Sequence, residues 1–204
     1  MTDGSKVPGA TPGDDLSGLL QPGLTDRRFR DIVEAELIDR AYQKHVFRAR
    51  PKKRDAGWLT SEFIRQVHRD MFGELWDWAG KYRTAELNMG IDWHQIPEQT
   101  EILCGDFKYW DSEASAMPPL EIAARLQSRL TRIHPFHNGN GRHARLITDI
   151  FFRSRDMKLP CWPQIQLIAQ GDRIRQQYIA AMKDADKENY AGLIKFFEDC
   201  LRTL

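Results

Sequence analysis

Cysteine is scarce in this sequence: Cys104, Cys161 and Cys200 are its only three, far apart and without a Cys-x-x-Cys pair. That spacing excludes a disulfide-framed miniature fold and a structural zinc site, and it reads as reduced thiols in a cytosolic protein. An excess of one charge is also missing. Thirty basic residues face twenty-nine acidic ones, for a net charge of +1, so any phosphate binding has to be local rather than a property of the whole surface. No apolar run approaches membrane-spanning length, and the first residues, Met1 to Lys6, contain no apolar export core. The expectation is a soluble, cytoplasmic chain with no membrane partner. The basic stretch Arg48 to Arg54 is short and has no interleaved aromatics, so it reads as a solvated loop and not as a nucleic-acid surface.

What is present fits one domain and an arm, since 204 residues suffice for a single core. Glycine or proline recurs every few positions through residues 1–23, so this stretch reads as an arm, either disordered or pinned to the domain through Leu16, Leu19 and Leu20. A single domain then covers 24–204. Apolar periodicity predicts helices at about 25–43, 59–72, 98–114, 120–133, 140–154, 171–184 and 190–203. In the first the stripe is Phe29, Ile32, Val33, Leu37 and Ala41, with Glu36 at its edge. His68 reads as a hydrogen-bonded packing residue, because no second ligand stands four positions on. Trp76 and Trp78 read as aromatics that set the position of a loop. Residues 83–96 lack a helical period, and Asn88-Met89-Gly90 is turn-like, which predicts a short hairpin. The fold class is therefore all-α, a helical bundle with one small β-hairpin.

The chemistry concentrates in residues 133–145. Before Pro135, residue 134 is pushed out of the α region, so the incoming helix should stop near Ile133. Gly139 and Gly141 let the backbone turn tightly, so that consecutive N–H groups point into one concavity. The next helix, from about Asn140, adds its free N–H groups and the positive end of its dipole. Arg142 and Arg145 stand three apart on that helix and both reach over its N-terminus. His134 sits where it can take a proton from an attacking hydroxyl. The N–H groups of Gly139 to Gly141, with the Asn140 side chain, suit the charge on a phosphate in transfer, and the two arginines suit a leaving pyrophosphate.

The run His134-Pro135-Phe136-x-x-Gly139-Asn140-Gly141-Arg142-x-x-Arg145 resembles the signature of the Fic family, with eight fixed positions in twelve. Trp78-Ala79-Gly80-Lys81-Tyr82-Arg83 resembles the segment before that family's target-binding flap, and the likeness covers about 58–203. The His143-Ala144-Arg145 ending is similar to the subgroup called mobile mystery protein B. The resemblance implies a mostly helical fold and transfer of AMP from ATP to a Ser, Thr or Tyr hydroxyl of a protein target. His134 would be the base, and Gly139, Asn140, Gly141, Arg142 and Arg145 would hold the nucleotide. It makes 83–96 the flap, whose open edge holds an extended stretch of target, with Asn88, Met89, Gly90, Trp93 and His94 as contact residues for target or adenine.

One position departs from the family pattern. An acidic residue that holds Mg²⁺ is usual where this chain has Asn138, and a neutral amide oxygen is a weaker ligand for that hard cation. Three outcomes stay open: a slow transferase, altered chemistry such as phosphate transfer, or a toxin-like nucleotide-binding module without turnover. The family often restrains itself with a glutamate that pairs with the second arginine, here Arg145, in a pattern of Ser or Thr, three residues, Glu, then Gly or Asn. That pattern is absent. The nearest echo runs from Asp184 to Asn189, and Glu34 or Glu36 on the first helix are the other candidates. A separate antitoxin-like partner is the further alternative, because the subgroup is typically encoded beside a helix-turn-helix protein.

Overall fold

The computed structural model describes residues 15–48, 57–169 and 171–202, and eight α-helices lie among them. They are α1 Arg27–Tyr42, α2 Ser61–Phe72, α3 Ile96–Trp110, α4 Pro119–Ile133, α5 Asn140–Ser154, α6 Gln164–Ile168, α7 Arg173–Ala185 and α8 Ala191–Arg202. Most of the basic stretch, 49–54, and the arm before residue 15 lie outside the described residues.

α5 is the central element. Its residues from His143 to Phe152 are all buried, so apolar side chains leave it in every direction except where polar groups are needed. α4 packs along one side of it with Ala123, Leu126, Leu130 and Ile133, and α2 meets another side with Ile64, Val67 and Met71. α8 pairs with α7 and also reaches α4, placing Leu193 and Phe197 in the core. Two imidazoles join α2, α5 and the α4–α5 loop. His143 on α5 donates from Nε2 to the carbonyl of Ile64 on α2 at 2.9 Å. His68 accepts from the Gly80 N–H at Nδ1, 3.0 Å away, so its proton is on Nε2 and is donated to the carbonyl of Asn138 at 3.0 Å. The ring of His68 lies flat on Phe136, with centroids 3.7 Å apart.

α1 buries only the later part of the expected stripe, Leu37 and Ala41, with Val33 packed against the core. Its buried residues are Arg30, Glu34, Leu37 and Ala41, one stripe at spacings of four, three and four, while Phe29 and Ile32 are exposed and Glu36 faces solvent. The face is set by what it meets: Arg30 donates to the carbonyls of Leu24 and Thr25, Glu34 meets Arg142 at the start of α5 and the Trp76 indole, and only the second half is apolar.

The expected hairpin at 83–96 is also corrected. No strand forms there among the described residues. Residues 83–92 are an irregular loop, and Trp93–Gln95 is a turn of 3₁₀ helix leading straight into α3. The carbonyls of Ala85 and Ile91, which a ladder would have used, accept instead from the guanidinium of Arg83. The short α6 was not foreseen, because the prolines at 160 and 163 mask it. Residues 15–24 lie along the Trp76 turn: Leu20 donates to Leu75 at 2.9 Å and Asp77 donates to Gly18 at 2.8 Å, with Leu19 facing the core.

Burial holds His143 at a pKa of about 4 and His68 well below its ordinary range, so both are neutral in the fold. The unfolded chain binds these protons near pH 6.5, so their contribution to stability is complete above that pH and is lost as pH falls from 6.5 toward 4. His143→Gln keeps an N–H for the Ile64 carbonyl but cannot titrate. Urea unfolding at a series of pH values should show a shallower acid loss in this variant, by up to about 1.4 kcal/mol per pH unit. Parallel slopes would mean that His143 is not held neutral.

Candidate active site

The loop between α4 and α5 is built on two left-handed residues. His134 ends α4 at φ 52° and ψ 59°, and Gly139 starts α5 at φ 77°. Proline at 135 bars the α region for His134, and its left-handed turn is fixed from outside by Arg83, whose Nε donates to the His134 carbonyl at 2.8 Å. A Cβ on Gly139 would fall 2.6 Å from the Phe72 ring, so glycine is required there by both torsion and space. Within the loop, the Asn140 amide bonds twice to Phe136, accepting from its N–H at 2.9 Å and donating to its carbonyl at 2.8 Å. The expectation that this side chain faces phosphate is therefore corrected: it braces the loop, and only the backbone N–H of Asn140 is left for an anion. Phe136 is fully buried and anchors the turn.

This loop floors a cavity of about 840 Å³ that runs from the flap to α6, a size suited to a nucleotide. His134, Asn138, Gly139, Asn140, Gly141, Arg142 and Arg145 all line it, as do Asn88 and Met89. Gly90 does not, but it presses against the base: a Cβ there would lie 2.6 Å from the His134 Cβ. Trp93 and His94 stand apart from the cavity. Trp93 packs on the core and His94 stacks on it at 3.5 Å, which leaves neither ring for a base bound here.

The half-buried imidazole of His134 has Nδ1 3.3 Å from the Thr131 carbonyl, which places the proton on Nδ1 and leaves Nε2 as the acceptor. Burial lowers its pKa to about 4; the Thr131 carbonyl opposes that shift, and the charge of Arg83 adds to it. At neutral pH it is a free base. Asn138 turns its Oδ1 back to the Gly139 N–H at 2.6 Å.

The arginines are held differently. Arg142 lies over the Phe72 ring at 4.9 Å and is paired with the Glu34 carboxylate, whose other oxygen accepts from the Trp76 indole at 2.8 Å. The glutamate that meets a loop arginine is thus Glu34 of α1, and its partner is Arg142 rather than Arg145. Arg145 is buried and donates to the Gln164 amide oxygen at 3.2 Å, while its Nε has no hydrogen-bond partner among the described residues. Deeper in, Asp149 accepts from the Trp162 indole at 2.9 and 3.0 Å, and burial raises its carboxyl to about 8. Near the mouth, Asp15 of the arm approaches His137 at 3.4 Å.

Asp149, Trp162, Gln164 and Asp15 escaped the sequence reading. Asp149 had a signal, since it follows Arg145 by four and Arg142 by seven, on the same face of α5. The others reach the cavity from distant segments and had none.

Residues 58–152 match the model of the Fic/DOC family. The sequence is 26% identical over 192 residues to "Protein adenylyltransferase fic-1" of Caenorhabditis briggsae, spanning 88% of this chain and 37% of that protein. It is 33% identical over 92 residues to "Protein adenylyltransferase Fic" of Nematostella vectensis, spanning 44% of this chain and 22% of that protein. The chain thus spans well under half the length of these relatives. Among solved structures, Fic-1 of C. elegans superposes with a TM-score of 0.67 at 21% identity, over 89% of this chain and 52% of that one. BepC of Bartonella tribocorum, solved with AMPPNP bound, gives 0.64 at 17% identity, over 88% and 90%. The Fic/DOC match thus covers 95 of the 204 residues. No helix among the described residues is long and apolar enough to cross a membrane.

The residue that unites loop and flap is Arg83, buried, with donors to the carbonyls of His134, Ala85 and Ile91. Arg83→Ala leaves three carbonyls without this donor and should lower unfolding stability by about 2–4 kcal/mol in urea titrations. Arg83→Lys should recover only a minor part, because one ammonium cannot replace a planar fork. A loss below about 0.5 kcal/mol would show that water replaces these bonds freely.

Proposed function

We propose that this chain is a protein adenylyltransferase that uses ATP to modify a hydroxyl side chain of a protein target. The observation that carries the reading is the free Nε2 of a neutral His134 beside an anion cradle at the start of α5, within one nucleotide-sized cavity. The target O–H gives its proton to His134 Nε2, and its oxygen bonds to the α-phosphorus of ATP. The bond from that phosphorus to the bridging oxygen breaks, and pyrophosphate leaves. Backbone N–H groups of Gly139, Asn140 and Gly141 face the oxygens of the reacting phosphate, and Arg142 and Arg145 receive the charge of the leaving group. The target lies along Asn88, Met89 and Gly90, whose loop edge is free of ladder partners, with Trp93 and His94 as outer contacts.

The residues present do not make a resident magnesium site. Asn138 is neutral and already accepts from Gly139, and no group of three acidic, histidine or cysteine side chains suited to a metal is found among the described residues. Magnesium enters this reading only as a companion of the nucleotide, held on phosphate oxygens and water, and no step is assigned to it. The toxin-like reading rests on Asn138, the cytoplasmic one on the sparse, unpaired cysteines, and the helix-turn-helix neighbour on the order of landmarks and the His143-Ala144-Arg145 ending. The Glu34–Arg142 pair supplies restraint from within the chain.

Incubation with ATP labelled at either the α- or the γ-phosphate separates the alternatives. The α label should pass to protein, and His134→Ala should reduce it by about 10²-fold or more. Transfer of the γ label alone would make the chain a phosphotransferase, and transfer of neither a nucleotide-binding module.

Glu34→Gln removes the negative charge on Arg142 while leaving an acceptor for the Trp76 indole. Labelling should rise by about tenfold or more, since a phosphate no longer competes with a partly buried carboxylate. An unchanged or reduced rate would show that Glu34 positions Arg142 rather than occupying it.

A further inference from the structure

Two of the three cysteines, unrelated by spacing, are brought together beside Trp162, which lines the cavity. The backbone N–H of Cys161 donates to the carbonyl of Cys200 at 3.0 Å, closing one of the open carbonyls at the end of α8. With standard bond lengths, one such bond keeps the two Cα atoms within about 7 Å, at the outer edge of the roughly 4.4–6.8 Å window that a disulfide spans. Cys161 is exposed and Cys200 is buried beside it, while Cys104 is buried elsewhere, on α3. The residues just after Cys161 are cavity wall: Trp162 donates to Asp149, and Gln164 accepts from Arg145.

We propose that Cys161 and Cys200 form a reversible disulfide that latches the α6 wall of the cavity to α8. With glutathione disulfide as oxidant, the Cys161 thiolate attacks one of its sulfurs and releases the first glutathione thiol. The Cys200 sulfur then attacks the Cys161 sulfur of the mixed disulfide and releases the second. The two protein thiols lose two electrons and two protons, and one glutathione disulfide becomes two thiols. Burial, and then the neighbouring charge of Cys161, push the Cys200 thiol up to about 11, so the second step is the slow one and quickens with rising pH. This wall is otherwise held by Trp162 packed on Phe197 of α8, by buried Leu167, whose carbonyl accepts from Arg175 of α7, and by the backbone bond; the disulfide would add a covalent tie to them.

The test uses the full chain in buffers of defined glutathione ratio and no nucleotide, so its outcome is separate from that of the proposed reaction. Oxidised wild type should lose about 2 Da and yield a peptide pair joining residues 161 and 200. Amide exchange over residues 162–167 should slow by roughly fivefold or more and return to its former rate with dithiothreitol. Cys104→Ser should behave as wild type. Cys200→Ser should stop as a glutathione adduct on Cys161, with exchange unchanged. Wild type that ends as the same adduct, as a disulfide-linked dimer or as unmodified thiols overturns the proposal. So does an intramolecular bond that leaves exchange at 162–167 unaltered.

Discussion

The two hydrogen bonds between the Asn140 amide and the backbone of Phe136 close the α4–α5 loop on itself, and the site depends on that closure. They hold the chain in a turn tight enough for Gly139 to begin a helix at positive φ, with the N–H groups that follow directed into the cavity. His68 braces the same turn from outside, through Asn138 and through the face of Phe136. Were the loop slack, the cradle would be a set of solvated amides that had to be ordered at each binding event. Held closed, it is preorganised.

The electrostatics follow from where protons are excluded. His68, His143 and His134 are all driven to the neutral form by burial, so the positive potential at the loop comes from arginines, Arg142, Arg145 and Arg83 among them, and from the helix start. Asp149 is neutralised in the opposite sense, its carboxyl raised to about 8, which keeps a second negative charge away from Arg145. Glu34 is the acid that still meets a loop arginine, and it comes from another helix.

Much of this was legible in the sequence where the cause is local. Pro135 ended α4, and the glycine pair opened α5 at Asn140. The stripes of α2, α4 and α8 predicted their buried faces because each packs on apolar neighbours throughout. In α1 the expected stripe fails in the first half, because Arg30 is turned inward onto the carbonyls of Leu24 and Thr25 and Glu34 onto Arg142, which leaves Phe29 and Ile32 outside. The flap was misjudged because Arg83 takes carbonyls that strand pairing would need, a competition that no periodicity reports. The contacts of Asn140, the pairing of Glu34 with Arg142 and the meeting of Cys161 with Cys200 join segments whose proximity only the packed helices create.

Gly90 approaches the Cβ of His134 and the Arg83 guanidinium so closely that neither leaves room for a side chain. The tip of the flap is thereby keyed to the imidazole while Leu87, Asn88 and Met89, just before it, are free to differ. Under the proposed reaction, divergence in partner choice could be written into those neighbouring positions without disturbing the proposed proton acceptor. Recognition and reactivity would then evolve as separable traits hinged on one achiral residue.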